Sequence, residues 1–201
     1  KEKKEEAIPE EEIEPELPSP KEKLSIETKH EKAVINEIVK WTKNIRFEKF
    51  DELTDNELET VLPSEATDIS VIAGDIKHEN VLGKLDEKGD VIINIKEIIP
   101  ETKEKEIVIE YFLDGPTKSE EETSSGKRVT VYSDDNVEYN NVTVFAEIPE
   151  IYNIDEKDKI KDFWREENKY IDFKAEDKNT NGKLDYLEWL VPHLSEQTFD
   201  I

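Results

Sequence analysis

The residues whose types and spacing could do chemistry lie together near the C-terminal end: Asp177, Asn179, Asn181, Gly182, Lys183, Asp185 and Glu188. Oxygen-bearing side chains at the first, third, fifth, ninth and twelfth positions, with glycine at the sixth, form the pattern of a calcium loop. The pattern assigns Asp177, Asn179 and Asn181 as side-chain ligands around a hard cation that takes only oxygen. Gly182 permits the sharp turn. Lys183 is expected to offer its main-chain carbonyl, Asp185 a direct or water-borne contact, and Glu188 both carboxylate oxygens. Leu184 should turn away into a core. Only Asp177, Asp185 and Glu188 carry charge, so the expected affinity is weak and suited to roughly millimolar extracellular calcium. Asp, Asn and Gly also build ordinary polar turns, and the complete spacing is what favours the ion.

The flanks set the kind of site. A paired-helix calcium sensor needs a helix on each side, and the chain has one such loop only. Leu187, Leu190, Val191 and Leu194 have helical spacing, yet Pro192 would remove a helix hydrogen bond and clash one turn back. Upstream, residues 170–175 alternate on strand period. The loop is therefore expected between strands, and calcium there is expected to act as a staple rather than a switch.

Other chemistry has little support. His30, His78 and His193 lie far apart and at no metal-ligand spacing. Acidic residues are so abundant that a facing carboxylate pair of the glycosidase kind would arise in any fold. No Gly-x-Ser-x-Gly elbow and no phosphate-cradling glycine loop are present. A hydrolase would need a cleft with two facing carboxylates of separated pKa. Asn141, Val142 and Thr143 form an N-glycosylation acceptor, with Val142 expected inward and Asn141 outward. Trp41, Trp164 and Trp189 are expected in the core. A sugar-binding face would instead expose aromatics such as Trp164, Tyr152 or Tyr170 together, and buried tryptophans would count against it.

Composition narrows the setting. The 201 residues include 52 Asp and Glu against 28 Lys and Arg, a formal net charge of −24. Such a chain repels phosphate backbones and anionic membrane surfaces, so neither nucleic acid binding nor direct membrane insertion is expected. With 34% apolar and 40% charged residues, the cores must be thin. There is no cysteine, hence no disulfide framework and no thiol chemistry. No apolar run approaches the ~18 residues of a membrane span. A first residue Lys1 and the absence of methionine fit a piece of a longer chain.

The elements that must position the loop read as strands. Residues 1–23 are rich in Glu and Lys, with Pro9, Pro15, Pro18 and Pro20, and are expected as an extended acidic linker or tether. Strand signals then occupy 24–28, 33–47 with a break, 58–62, 68–73, 91–98 and 107–113. Val91, Ile93 and Ile95, like Ile107, Ile109 and Tyr111, recur every second position. Residues 54–57 have capping-box spacing. The apolar-free stretch 114–126 is expected as a linker or long loop. Strands resume at 128–133 and 142–147, and 159–164 with 169–175 are expected as a hairpin, although Ile160, Phe163 and Trp164 also suit a helical face. The fold class is mainly β: two small antiparallel β-sandwich domains, 24–113 and 127–201, the second carrying the calcium loop.

The ending that runs from the loop through Glu188, Trp189, Leu190, Val191, Pro192, His193, Leu194, Ser195, Glu196, Gln197, Thr198 and Phe199 resembles a β-rich module of large cell-surface, S-layer-like proteins of uncultured archaea. In that module a calcium-type loop runs into Trp-x-Val-Pro-His-Leu-Ser-x-Gln-Thr. Shorter pieces at 34–43, 62–66 and 140–149 fit the same module. The resemblance implies Ig-like domains in tandem and an extracellular or cell-surface location, and it brings no catalytic residues. The expected role is a non-catalytic structural module, a stalk, surface-layer or filament element. Its expected partners are neighbouring modules or copies of the same surface protein, and glycans in the alternative reading as an adhesion module.

Overall fold

The computed structural model describes residues 23–133 and 137–201. The expected linker over 1–23 lies almost entirely outside the described residues. Alternation of β-branched and aromatic residues with polar ones gives antiparallel strands throughout. The first set comprises β1 (Leu24–His30), β2 (Ile38–Phe47), β3 (Glu59–Leu62), β4 (Thr67–Ala73), β5 (Ile76–His78), β6 (Lys84–Leu85), β7 (Val91–Asn94) and β8 (Glu106–Asp114). They form a five-stranded sheet, β1-β2-β8-β4-β5, and a three-stranded sheet, β3-β7-β6. Inward side chains alternate as expected: Ile107, Ile109, Tyr111 and Leu113 on β8 are buried, as are Val39, Trp41, Ile45 and Phe47 on β2.

The second set repeats that plan. It comprises β9 (Thr117–Thr123), β10 (Gly126–Tyr132), β11 (Tyr139–Glu147), β12 (Phe163–Trp164), β13 (Lys169–Tyr170), β14 (Lys174–Glu176), β15 (Tyr186–Leu194) and β16 (Gln197–Asp200). Its sheets are β13-β12-β16-β10-β9 and β11-β15-β14. All pairings between named strands stay inside one set, an arrangement consistent with two β-sandwich domains. The sets meet through an isolated bridge between Val34 and Thr143. No helix among the described residues is long and apolar enough to cross a membrane.

Three local expectations are corrected. The stretch 114–126, expected as a linker or long loop, contains β9, paired with β10 from Thr117 opposite Tyr132 to Thr123 opposite Gly126. Its lack of apolar residues reflects an edge position, where charged side chains also deter pairing with another chain. Lys118 donates to the Phe145 carbonyl and lies 4.6 Å from that ring's centroid, while Lys127 pairs with Glu120 at 2.7 Å. The strand run expected over 91–98 ends at Asn94, whose side chain accepts from the Glu97 amide at 3.2 Å and caps a short helix (Ile95–Ile98). The hairpin expected over 159–175 is confined to β12 and β13, and residues Ile154–Lys159 form a 3-10 turn. The capping box at Thr54 and Glu57 is present, with Glu57 accepting from the Thr54 amide at 2.7 Å.

One core position breaks the apolar rule. Ile160, Asp162 and Trp164 are all buried, so the alternation that leads into β12 carries a carboxyl group inside. Asp162 is 1% exposed, and neither of its carboxylate oxygens has a hydrogen-bond partner. Burial, helped by the negative charge of Asp200, pushes its pKa from 3.8 to about 7. The folded state thus holds this proton more tightly than the unfolded chain does. Stability falls as pH rises from about 4 to about 7, and the full penalty stands above that window. Asp162→Asn should therefore raise stability at pH 8 by roughly 1–4 kcal/mol and by little at pH 4. Chemical denaturation at the two pH values checks this, and an equal gain at both would contradict it.

Candidate calcium loop

The loop closes the turn between β14 and β15, so both flanks are strands, as the sequence implied. Glu176 pairs with Tyr186 at its base, and the Asp185 amide donates to the Glu176 carbonyl at 3.1 Å. Between them the chain curls around two carboxylates. Asp177 accepts from the amides of Asn181 at 3.1 Å and Gly182 at 2.7 Å. Asp185 accepts from Lys178 at 2.8 Å and Asn179 at 3.2 Å. The Asn179 side-chain oxygen accepts from the Asn181 amide at 3.1 Å, and that of Asn181 accepts from the Lys183 amide at 2.9 Å. Gly182 has φ +91°, a conformation costly for any other residue. Thr180 has φ +61°, strain that a β-branched residue bears only when its surroundings hold it.

The outer side of the loop is docked on the rest of the sandwich. Leu184 is 2% exposed, turned into the core as expected, and its amide donates to the Tyr152 carbonyl at 2.9 Å. Ile154 donates to the Gly182 carbonyl at 3.3 Å, and Lys183 bridges Asn153.

Of the expected ligands, Asp177, Asn179, Asn181, Lys183 and Asp185 are gathered in this curl. Glu188 is not among them. It lies within β15 opposite Lys174 and Phe145, and its carboxylate accepts from the Tyr186 hydroxyl at 3.4 Å. The physical reason is the strand itself. In a helix, three residues beyond Asp185 advance only ~4.5 Å and curl back toward the loop, whereas in a strand the same step runs ~10 Å away from it.

A different carboxylate approaches instead. Glu150, in the connection after β11, accepts from the side-chain amides of Asn179 and Asn181, each at 2.7 Å. These bonds take the NH2 group of each asparagine, while both amide oxygens accept from main-chain amides of the loop. Nothing in the sequence marks Glu150, one glutamate among many, whose position follows from the fold of the 148–154 segment. The Ile148 amide ties that segment to the loop by donating to the Asp185 carbonyl at 2.9 Å. Beside the loop, Glu176 is held below the usual carboxylate range by its hydrogen bonds to Lys174 and Lys178. Lys178 also lies 4.3 Å from the centroid of the Tyr186 ring.

The donor set is all oxygen, which fits a hard cation and excludes a soft one. It depends on amide and main-chain oxygens, because no group of three or more His, Cys, Asp or Glu side chains poised for a metal occurs among the described residues.

The remaining sequence candidates separate clearly. Trp41, Trp164 and Trp189 are 7%, 3% and 3% exposed, so they are core residues and form no sugar-binding platform. Trp164 donates to Gln197 at 2.7 Å. Asp162 is only 1% exposed, and the nearby Asp200 is tied to Arg128 at 2.7 Å. Asn141 is exposed with φ +54°, while Val142 beside it is fully buried, so the acceptor asparagine faces outward as expected.

Were the loop to hold calcium with Glu150 orienting the two asparagines, Glu150→Ala would weaken that binding by about tenfold, the usual cost of losing an orienting partner. Calcium titration of the variant checks this, with unchanged affinity as the contrary result. No protein-family model matches the chain, and no curated protein matches it in sequence.

Proposed function

We propose that this chain is a non-catalytic structural module of an extracellular or cell-surface protein, with one calcium ion as a staple in its second sandwich. The observation that carries the reading is the curl of residues 177–185, in which two carboxylates and two oriented amides converge on one turn between strands. Asp177, Asn179, Asn181 and Asp185, with the Lys183 carbonyl, would hold the ion. Its chemistry there is charge neutralisation and cross-linking of the turn.

Without Glu188 the set carries little charge, so affinity suits the millimolar calcium outside cells rather than an intracellular signal. An ion bound only by the folded state adds stability by mass action. The likeness of the C-terminal ending to modules of archaeal S-layer-like proteins supports Ig-like domains in series, as a stalk, surface-layer or filament element. Partners in that setting are neighbouring modules or further copies of the same protein. The net charge of −24 favours assembly with divalent cations present. The outward-facing Asn141 would carry a glycan in a host that modifies such acceptors.

Thermal melting tests the staple. Calcium at a hundred times its Kd should add about 2.7 kcal/mol and raise the transition by several degrees, reversed by chelator. Asp177→Ala should melt at one temperature whether or not calcium is added. A wild-type transition indifferent to calcium would refute the reading.

A further inference from the structure

The joint between the two sandwiches contains one bond that depends on a titratable ring. Most of what holds the joint is main chain. The amides of Thr143 and Ile35 exchange bonds with the carbonyls of Ala33 and Thr143 at 2.9 and 3.1 Å. Asn36 donates to the Pro116 carbonyl at 2.7 Å, and Gly115 to that of Glu37 at 2.9 Å. The Tyr139 hydroxyl donates to the Asp114 carbonyl at 2.8 Å. A further bond runs from the Asn140 amide on β11 to Nε2 of His30 on β1, at 3.0 Å.

That bond fixes the state of the ring. Nε2 must accept, so it carries no proton, while Nδ1 lies 2.7 Å from the Glu31 carbonyl and must donate. The ring is a neutral imidazole with the proton on Nδ1. It packs against Trp41 of the first sandwich, 4.7 Å between centroids, and Tyr139 of the second, 5.4 Å, and those two rings also meet each other at 5.3 Å. We infer that His30 is a pH-sensitive latch on this joint. A proton added to Nε2 turns the acceptor into a donor, and two N–H groups then face each other. The bond to Asn140 is lost, and the ring's packing against Trp41 and Tyr139 is disturbed with it.

The surroundings give the charged ring somewhere to go. A cavity of about 790 Å³ opens beside it, lined by His30, Trp41 and Tyr111 from one sandwich and by Asn140 from the other. Among the described residues, the titratable and charged groups that line it are Glu31 and Glu138, which attract an imidazolium, Lys29, Lys32 and Lys43, which repel it, and the phenol of Tyr111. Tyr139 packs on the ring, and burial pushes its phenol up, so it stays neutral through the range in which histidine titrates. Among the described residues, the joint's other hydrogen bonds involve main-chain groups and that neutral phenol. Protonation therefore releases one contact and loosens the joint without unfolding either sandwich.

The absence of cysteine makes the test direct. Spin labels are attached in the full chain at Leu82→Cys and Glu167→Cys, both exposed and one on each sandwich, and the distance distribution is recorded at about pH 7.5 and about pH 5.5. The wild-type background should give a narrow distribution at the higher pH and a broader one at the lower. His30→Gln, which keeps an acceptor but does not titrate in this range, should give the same distribution at both. Circular dichroism at both pH values confirms that the sheets persist. A wild-type distribution that does not change with pH, or a His30→Gln chain that broadens as the wild type does, would overturn the latch.

Discussion

The pairing of β11 with β15 is the interaction on which the rest of the molecule depends. It runs from Tyr139 opposite Leu194 to Glu147 opposite Tyr186, the full length of both strands. The other edge of β15 takes β14, so the end of β15 at Tyr186 carries the loop. The other edge of β11 reaches the first sandwich through Thr143, and its Tyr139 and Asn140 supply further bonds of the joint. One antiparallel pair thus connects the candidate ion site to the inter-domain contact. The buried faces of the two strands, with Val142, Val144, Ala146, Leu187, Trp189 and Val191, set the register, because a slip of one residue would expose all of them.

Pro192 illustrates how this pair tolerates an awkward residue. A proline lacks the N–H that a central strand uses and is confined to places where no partner needs it. Here its opposite number is Asn141, which takes a positive φ and leaves the local ladder, between the regular pairs of Asn140 with His193 and Val142 with Val191. The same departure turns Asn141 outward. A residue that the sequence marks as a helix breaker is accommodated in a strand, and the accommodation exposes the one glycosylation acceptor considered above.

How far the sequence could be read depended on whether the information was local. Alternation in β2, β8, β10 and β11 is a property of neighbouring residues, and burial follows it at nearly every position. The loop's curl was legible for the same reason, since the Asp177, Asn181, Gly182 and Asp185 contacts are made within a few residues. β9 was not legible, because an edge strand held by main-chain bonds and ion pairs needs no apolar residues. The place of Glu188 is not legible from the twelve-position pattern, which assumes a helix after the loop where this chain has a strand. Glu150, and the meeting of His30 with Asn140, depend on tertiary contacts between distant segments and left no local signal. The burial of Asp162 is equally hidden in the sequence, since a carboxylate between Ile160 and Trp164 carries no local signal that all three lie inside.

The proposed staple is one calcium ion that completes the turn between β14 and β15. A backbone amide NMR titration with calcium addresses it most directly. With such an ion, saturable shifts at millimolar calcium and one-to-one stoichiometry are expected at Asn179, Asn181, Gly182, Lys183 and Asp185. The shifts should extend to Ile154 and Leu184, which dock the loop, and should leave β1 to β8 unchanged. Shifts that grow linearly with salt, or that scatter over the acidic surface without saturating at the loop, would contradict it.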